Sequence, residues 1–330
     1  MRTIRTIMRY VPCLLLFAAL ACQSNEISDE DREGILETHI ELAGGYLSMG
    51  DHLRAADQAQ RGLLLDPDNF KLRIYLGRSL QKTRLLGDVM RAQRVFREMP
   101  RDEDYRVALG LAEVVERLGV EWDNRSRAIR TGERYTEALD PELRATELET
   151  EAQRSWNESI DLYTEAHALA PGDTEILNGL VRVHTLLGQY ELALQWGEEV
   201  IKHTEVDRKW WNEALKRSGI SQRDEDACRR SLERSNRLEV AVRLNSYTIL
   251  AAQDSSNAAL IHLDRASELD PGDGTIQSRR SELLISLGRH EEALIAIEHF
   301  LSLTDADFES DDVRHAFRLK SACEAAIASN

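Results

Sequence analysis

Small residues that recur about every 34 positions are the feature that most constrains the fold of this chain. Alanine stands at an equivalent point of four consecutive units, at Ala193, Ala227, Ala259 and Ala293, with intervals of 34, 32 and 34 residues. A fixed period of this length means that one supersecondary unit is repeated and buries its apolar face against its neighbours. The sequence therefore predicts a stack of similar units rather than one large core.

Turn-forming residues indicate where the helices of these units end. Glycine can adopt the positive φ that ends a helix, and one glycine separates two apolar stretches in each of three units. Proline after the second stretch stops one helix and suits the first turn of the next. Each unit is thus predicted to be a helix–turn–helix. The residues concerned are Gly50, Gly188 and Gly288, and Pro67, Pro171 and Pro271.

Four segments with these marks resemble the tetratricopeptide repeat (TPR), namely residues 45–69, 183–200, 257–273 and 283–303. The resemblance implies an all-α fold, a right-handed superhelical solenoid of about eight TPR units over residues 36–307, with a C-terminal capping helix over 308–330. Residues 142–154 lack any turn signal, and we expect them to continue one long helix. Binding to other proteins along a concave face is the default function that this fold implies.

The first 22 residues have the pattern of a targeting segment. Arginines precede the apolar run Val11–Leu20, which is too short to span a bilayer and is typical of a signal peptide. The run ends at Ala19-Leu20-Ala21-Cys22, which resembles the lipobox of bacterial lipoproteins. The resemblance implies a signal peptide over residues 1–21, lipidation of Cys22 and a tether over 22–35. The family usually has leucine where Ala19 stands, and an ordinary cleaved signal with an unmodified Cys22 is the alternative.

The residue after the cysteine and the net charge bear on location and partners. Enterobacterial lipoproteins of the inner membrane have aspartate at the place of Gln23, so Gln23 implies a lipid-anchored protein of the outer membrane that faces the periplasm. The net charge of −16 disfavours general binding to nucleic acid or to anionic membranes. We therefore expect partners among the proteins or peptides of the cell envelope, with membrane attachment through the lipid on Cys22 and no nucleic acid.

The sequence contains no recognisable catalytic or cofactor motif. His290-Glu291-Glu292-Ala293 lacks the second histidine of the H-E-x-x-H zinc motif, because Leu294 stands in its place. The nine histidines are scattered without metal-ligand spacing. We therefore predict that the chain is not an enzyme and has no catalytic residue, metal or cofactor. An enzyme with an unrecognised site is the alternative from a different functional class.

Two cysteines of the predicted solenoid, Cys228 and Cys323, lie nearly three repeat lengths apart. Because repeat units contact mainly their neighbours, we expect two buried free thiols rather than a bond between them. A disulfide formed in an oxidising periplasm is the alternative.

In TPR proteins certain positions of the first helix face the concave groove, and in this chain those positions carry mainly basic and amide side chains. Such side chains suit an acidic ligand or a C-terminal carboxylate, so a capture module for such peptides is one functional alternative. The other interpretation is an ordinary solvated helix face. The predicted groove residues are Lys71, Arg78, Gln81, Lys82, Arg182, Lys209, Asn212, Lys216 and Asn245.

Two adjacent tryptophans diverge by about 100° around a helix axis, so both cannot point into one core stripe. Trp211 matches the tryptophan of the repeat and is predicted to be core. Trp210 is predicted to be partly exposed and is a candidate anchor for a partner, with packing against the preceding unit as the alternative. Together these features predict an envelope-anchored scaffold or adaptor that binds proteins through a TPR groove.

Replacement of Cys22 by serine tests the predicted anchor. A serine cannot accept the thioether-linked lipid, so we expect the Cys22→Ser chain to remain an unprocessed or soluble precursor that radiolabelled palmitate does not mark. The wild-type chain should carry the label and sediment with membranes. Palmitate incorporation into the serine variant would contradict the assignment.

Overall fold

The computed structural model describes residues 28–133, 140–217, 219–304 and 310–329. The predicted signal peptide and the lipidation site Cys22 lie outside the described residues. The described chain is all-α, with thirteen helices and no strand, so the predicted fold class of stacked helical repeats is confirmed. The chain divides into two compact units, residues 1–95 and 96–330.

The first unit contains α1 (Asp29–Ser48), α2 (His52–Leu65) and α3 (Phe70–Gln81), and α4 (Leu86–Arg97) begins in it. Helix α1 packs against both α2 and α3. It begins inside the segment that the sequence assigned to a tether. The helix begins this early because its N-terminus is stabilised. The Ser28 hydroxyl accepts a hydrogen bond from the Asp31 N–H at 3.1 Å, and acidic side chains fill the first turn.

In the second unit, each helix from α5 to α12 packs against the next, with α13 closing the series against α12. Aliphatic side chains such as Leu263, Ile276 and Ile297 form a continuous core near its C-terminal end. The helices are α5 (Tyr105–Arg130), α6 (Pro141–Leu169), α7 (Thr174–Leu186), α8 (Tyr190–Leu215), α9 (Gln222–Ala252), α10 (Ser256–Leu269), α11 (Gly274–Ser286), α12 (His290–Leu303) and α13 (Asp311–Ser329).

The turn residues behave as the sequence predicted. Gly50, Gly188 and Gly288 have φ values of 77°, 70° and 73°, a conformation that side chains disfavour, and each lies in the turn between two helices. Helices α2, α6 and α10 all end two residues before a proline. These punctuation residues therefore determine the register of the short helical hairpins.

Four long helices change how the predicted units connect. Helices α5 and α6 each occupy the length of one predicted unit, and the expected continuous helix over residues 142–154 is confirmed within α6. Units of 34 residues counted from residue 36 place a boundary at about residue 206, and helix α8 continues through it because no proline or turn glycine interrupts it. The described residues consequently contain fewer separate helical hairpins than the eight predicted, although the total length of helix is similar to that of eight hairpins.

The repeated alanines mark close helix contacts with one exception. Ala193, Ala259 and Ala293 are almost completely buried. Ala227 is exposed, and its neighbour Cys228 is buried in its place, so the packing register in this weakly marked unit was predicted wrongly by one residue. Cys228 and Cys323 are buried free thiols, as expected.

Enlarging a buried alanine should destabilise the second unit. Ala259 is 0% exposed, so we expect Ala259→Leu to overpack the contact and lower the free energy of unfolding by about 1–3 kcal/mol. Ile261 on the same helix is 66% exposed, and Ile261→Ala should change it by less than about 0.5 kcal/mol. Urea unfolding followed by circular dichroism measures both. Equal midpoints for the two variants would refute this packing assignment.

Candidate functional site

The second unit contains a cavity of about 630 Å³ bounded by α5, α7, α8 and α9. We call it the inner pocket. Residues four apart share one face of a helix, which explains why α7 and α8 each contribute several side chains to it. Its principal lining residues are Glu113, Thr174, Glu175, Asn178, Arg182, Asp207, Trp211, Arg234, Ser235, Arg237 and Leu238.

The chemistry of the inner pocket is mixed. Its charged side chains include three carboxylates and three guanidinium groups, while Trp211 and Leu238 supply apolar surface. The Oδ1 atom of Asn178 is buried and has no hydrogen-bond partner among the described residues. Buried polar atoms normally find a partner, so Asn178 is suited to accept a hydrogen bond from a ligand. The pocket therefore offers apolar contact, charges of both signs and an acceptor.

Arg182 is held in the pocket wall by two residues from other helices. Its Nε and Nη2 atoms each donate to a carboxylate oxygen of Glu116 at 2.7 Å, a bidentate ion pair. The Tyr163 hydroxyl donates to the same carboxylate at 2.6 Å. This network joins α5, α6 and α7 and fixes the orientation of the Arg182 guanidinium.

Burial and charge keep Tyr163 and Arg182 in their ordinary protonation states. Burial raises the pKa of Tyr163 well above its usual value, and the Glu116 carboxylate adds to the rise. Burial lowers the pKa of Arg182, but the hydrogen bonds to Glu116 and the neighbouring charges together outweigh that effect, and the net shift is upward. Tyr163 therefore stays neutral and Arg182 stays charged around neutral pH, which suits a structural ion pair.

Gly179 allows Tyr163 to reach the network. A Cβ atom at position 179 would lie 2.3 Å from the Tyr163 ring, well inside van der Waals contact. The absence of a side chain at this point of α7 thus lets the phenol approach Glu116 and Arg182.

A second buried carboxylate, Glu239, lies at the junction of α8, α9 and α10. It is 0% exposed and accepts hydrogen bonds from Arg208 and from Arg243, the latter at 2.7 Å. Arg265 approaches it at 3.6 Å. Burial alone would raise the pKa of Glu239, but the hydrogen bonds from Arg208 and Arg243 outweigh it and hold that pKa below its ordinary value.

The structure distributes the predicted groove residues over several surroundings. In the first unit, Lys71 and Lys82 are exposed, Arg78 is half-buried and Gln81 is buried. In the second unit, Arg182 lines the inner pocket with its guanidinium bound to Glu116. On α8, Lys209 is exposed and Asn212 lies in the same helix, while Lys216 follows its end and Asn245 belongs to α9.

The sequence analysis missed several residues of the inner pocket. Asn178 lies on the same face of α7 as Arg182, one turn earlier, and this spacing was the available signal. Arg234 lies in a unit with weak repeat marks, so its face could not be assigned. Trp211, predicted to be core, is half-buried and lines the pocket.

Trp210 is 51% exposed, as the divergence of the two tryptophans required. Its ring meets Trp211 edge to face, with centroids 4.3 Å apart and planes at 89°. Helix α8 thus presents one tryptophan to the inner pocket and the other to solvent.

The described residues give no indication of a metal site or of a membrane span. No group of three or more His, Cys, Asp or Glu side chains in them is placed to hold a metal ion. None of the described helices combines the length and apolarity that crossing a membrane requires.

Comparison with known proteins finds no matching family model and no matching curated relative. Solved structures do match. A thermophilic TPR protein of Thermus thermophilus is 15% identical, with 89% of this chain and 99% of that chain covered and a TM-score of 0.35. The pilF protein of Pseudomonas aeruginosa is 14% identical, with 86% of this chain and 98% of that chain covered and a TM-score of 0.46. A TPR protein of Parabacteroides merdae is 11% identical, with 88% of this chain and 99% of that chain covered and a TM-score of 0.37. The chain is thus similar to TPR proteins, and its fold class rests on its own helices and repeats.

Loss of the Glu239 carboxylate should destabilise the second unit in a pH-dependent way. Glu239→Gln leaves the surrounding arginines without their buried counter-ion, and we expect a loss of about 3–5 kcal/mol near neutral pH. The pKa of Glu239 is lower in the folded chain than its ordinary 4.5, so this stabilisation is present above about pH 4.5 and is lost as the pH falls through the folded value.

Unfolding at several pH values measures this difference, and Glu292→Gln is the matched control. Glu292 pairs with Arg289 on the surface, where solvent screens the pair and its contribution to stability is small. A wild-type advantage over Glu239→Gln that is no larger than the control, or that grows towards acidic pH, would contradict the assigned role.

Proposed function

We propose that this chain is a protein-binding scaffold, anchored in the bacterial envelope through a lipid on Cys22, and that its inner pocket receives a segment of a partner protein. The observation that carries the binding proposal is the pocket itself. Its volume of about 630 Å³ lies within the usual range for ligand sites, and the Trp211 ring forms part of its wall.

A polypeptide segment supplies the groups that the pocket complements. A backbone N–H can donate to the buried Oδ1 of Asn178, which has no partner among the described residues. An apolar side chain can lie against Trp211 and Leu238, and charged side chains of either sign find a counterpart in Asp207 or Arg234. We therefore favour a partner segment of mixed charge.

The capture of acidic tails or C-terminal carboxylates is the second candidate function. Arg234 and Arg237 in the pocket support it, although Arg237 also approaches Glu233 at 3.6 Å. Arg182 is already bound bidentately by Glu116, and the pocket contains carboxylates of its own. These charges oppose a ligand that is purely acidic, so the mixed-charge segment is the stronger proposal.

The buried carboxylates favour a scaffold over a catalyst. Glu116 accepts hydrogen bonds from Arg182 and Tyr163, and Glu239 accepts them from Arg208 and Arg243. A general acid or base requires a pKa near the working pH, whereas arginines hold the pKa of Glu239 below its ordinary value. Their arrangement suits the joining of helices.

Affinity capture from envelope membranes with the mature lipidated chain tests the binding proposal. We expect proteins that co-purify with the wild-type chain to be lost when Arg234→Glu and Asn178→Ala are combined, because the pocket then lacks a cation and an acceptor. Trp211 is left intact in this variant since it also contacts Trp210.

The matched control combines Ile261→Ala and Ile295→Ala, which change exposed side chains of α10 and α12. It should capture the same proteins as the wild type. Circular dichroism establishes that all variants are folded. An identical set of captured proteins from the wild-type chain and the pocket variant would argue against the inner pocket as the binding site.

A further inference from the structure

The α8/α9 hairpin is longer than the helices that flank it. Helices α8 and α9 contain 26 and 31 residues, whereas α7 and α10, which pack against them, contain 13 and 14. At about 1.5 Å per residue, the short helices can cover only about half of the long pair. The uncovered part, which we call the distal hairpin, comprises the described residues 205–217 and 219–238.

Apolar side chains of the distal hairpin point to solvent from α8. Val206 and Trp210 are one turn apart on one face and are 69% and 51% exposed. The Trp210 ring is held by the edge-to-face contact with Trp211, and the Arg217 guanidinium lies 6.0 Å from its centroid. Tryptophan and arginine are the side chains enriched at the energetic centres of protein interfaces. A Trp210 that is already positioned loses little freedom on binding.

The cations around Trp210 differ from most of the arginines in this chain. Lys209, Lys216 and Arg217 form no ion pair with any carboxylate of the described residues. Elsewhere on the same two helices, Lys202 pairs with Glu199 and Arg229 pairs with Glu225. Glu213 is the one carboxylate between Lys209 and Arg217 in the sequence, so this surface is positive on a chain whose net charge is −16. We call it the outer face, formed by Val206, Lys209, Trp210, Glu213, Lys216 and Arg217.

We propose that the outer face docks an acidic segment of a partner protein that carries a large apolar side chain. The apolar side chain packs against Trp210 and Val206, and neighbouring carboxylates pair with Lys209, Lys216 and Arg217. This surface goes beyond the inner pocket, because Trp210 does not line that cavity.

Charge and position favour a protein segment over other occupants. Two copies of the chain repel each other through their shared net charge, which disfavours self-association. Trp210 lies on the flank of the hairpin, with Glu213 between it and the turn. An anionic lipid surface that approached along the turn would meet Lys216 and Arg217 but would leave Trp210 behind Glu213, so the indole and the cations are engaged together by a segment that lies along the flank.

Fluorescence anisotropy with labelled synthetic peptides tests the proposal on the full mature chain. The probe alternates glutamate with leucine and phenylalanine, and the comparison peptides carry lysine for glutamate or serine for the apolar residues. We expect the first peptide alone to bind, and to bind more weakly as salt rises. Trp210→Ala should weaken it about tenfold or more. Lys209→Glu combined with Arg217→Glu should abolish binding.

Matched controls keep each outcome interpretable. Ile261→Ala removes a comparably exposed apolar side chain, and Arg314→Glu reverses an exposed charge on α13, so both should bind the peptide as the wild type does. The inner-pocket variant with Arg234→Glu and Asn178→Ala should also bind it, which separates this proposal from the proposed function.

Three results would overturn the proposal. The first is the absence of peptide binding, or binding that Trp210→Ala leaves unchanged in a chain with wild-type helical content. The second is binding to phosphatidylglycerol vesicles that Trp210→Ala abolishes, which would make the occupant a lipid surface. The third is a concentration-dependent dimer in analytical ultracentrifugation that Trp210→Ala dissociates, which would make it a second copy.

Discussion

Close approach between neighbouring helices is the constraint on which the rest of this structure depends. Helices in contact can come near only where one side chain is small, as at Ala193, Ala259 and Ala293, which are almost fully buried. The same constraint applies at the candidate site, where the absence of a side chain at Gly179 gives Tyr163 room to reach Glu116 and Arg182. The geometry of the inner pocket therefore follows from the same spacing rule as the fold.

Buried ion pairs join the helices in the units where the repeat residues are weakly marked. In the weakly marked region around α8 and α9, two long helices replace the short hairpins, and Glu239 with its arginines joins α8, α9 and α10 there. Glu116 with Arg182 and Tyr163 does the same for α5, α6 and α7 beside another pair of long helices. Such pairs contribute little net stability but are costly to break, so they favour one arrangement of helices over its alternatives.

The sequence predicted those features that depend on local backbone chemistry. The turn glycines Gly50, Gly188 and Gly288 and the exposed Trp210 follow from short-range patterns, and the free thiols follow from the repeat spacing that separates them. It could not predict the partner of Arg182, because Glu116 lies 66 residues away and no spacing rule joins residues in different helices. The inner pocket could not be predicted for the same reason, because four helices form it and positions within one helix do not show which other helices lie beside it. Among the long helices only the continuous stretch over residues 142–154 was predicted, because a missing turn signal is a weak indication of a longer helix.

The fusion of two repeat helices into α8 explains why one helix can serve two surfaces. In a short repeat helix the next turn would redirect the chain after about fourteen residues. Because α8 continues instead, Asp207 and Trp211 extend the wall of the inner pocket, while Val206 and Trp210 emerge on the other side. The edge-to-face contact of the two indole rings joins these sides physically. A partner that shifts Trp211 in the pocket would therefore also act on Trp210, so the two proposed surfaces share a mechanical link in this pair of adjacent residues.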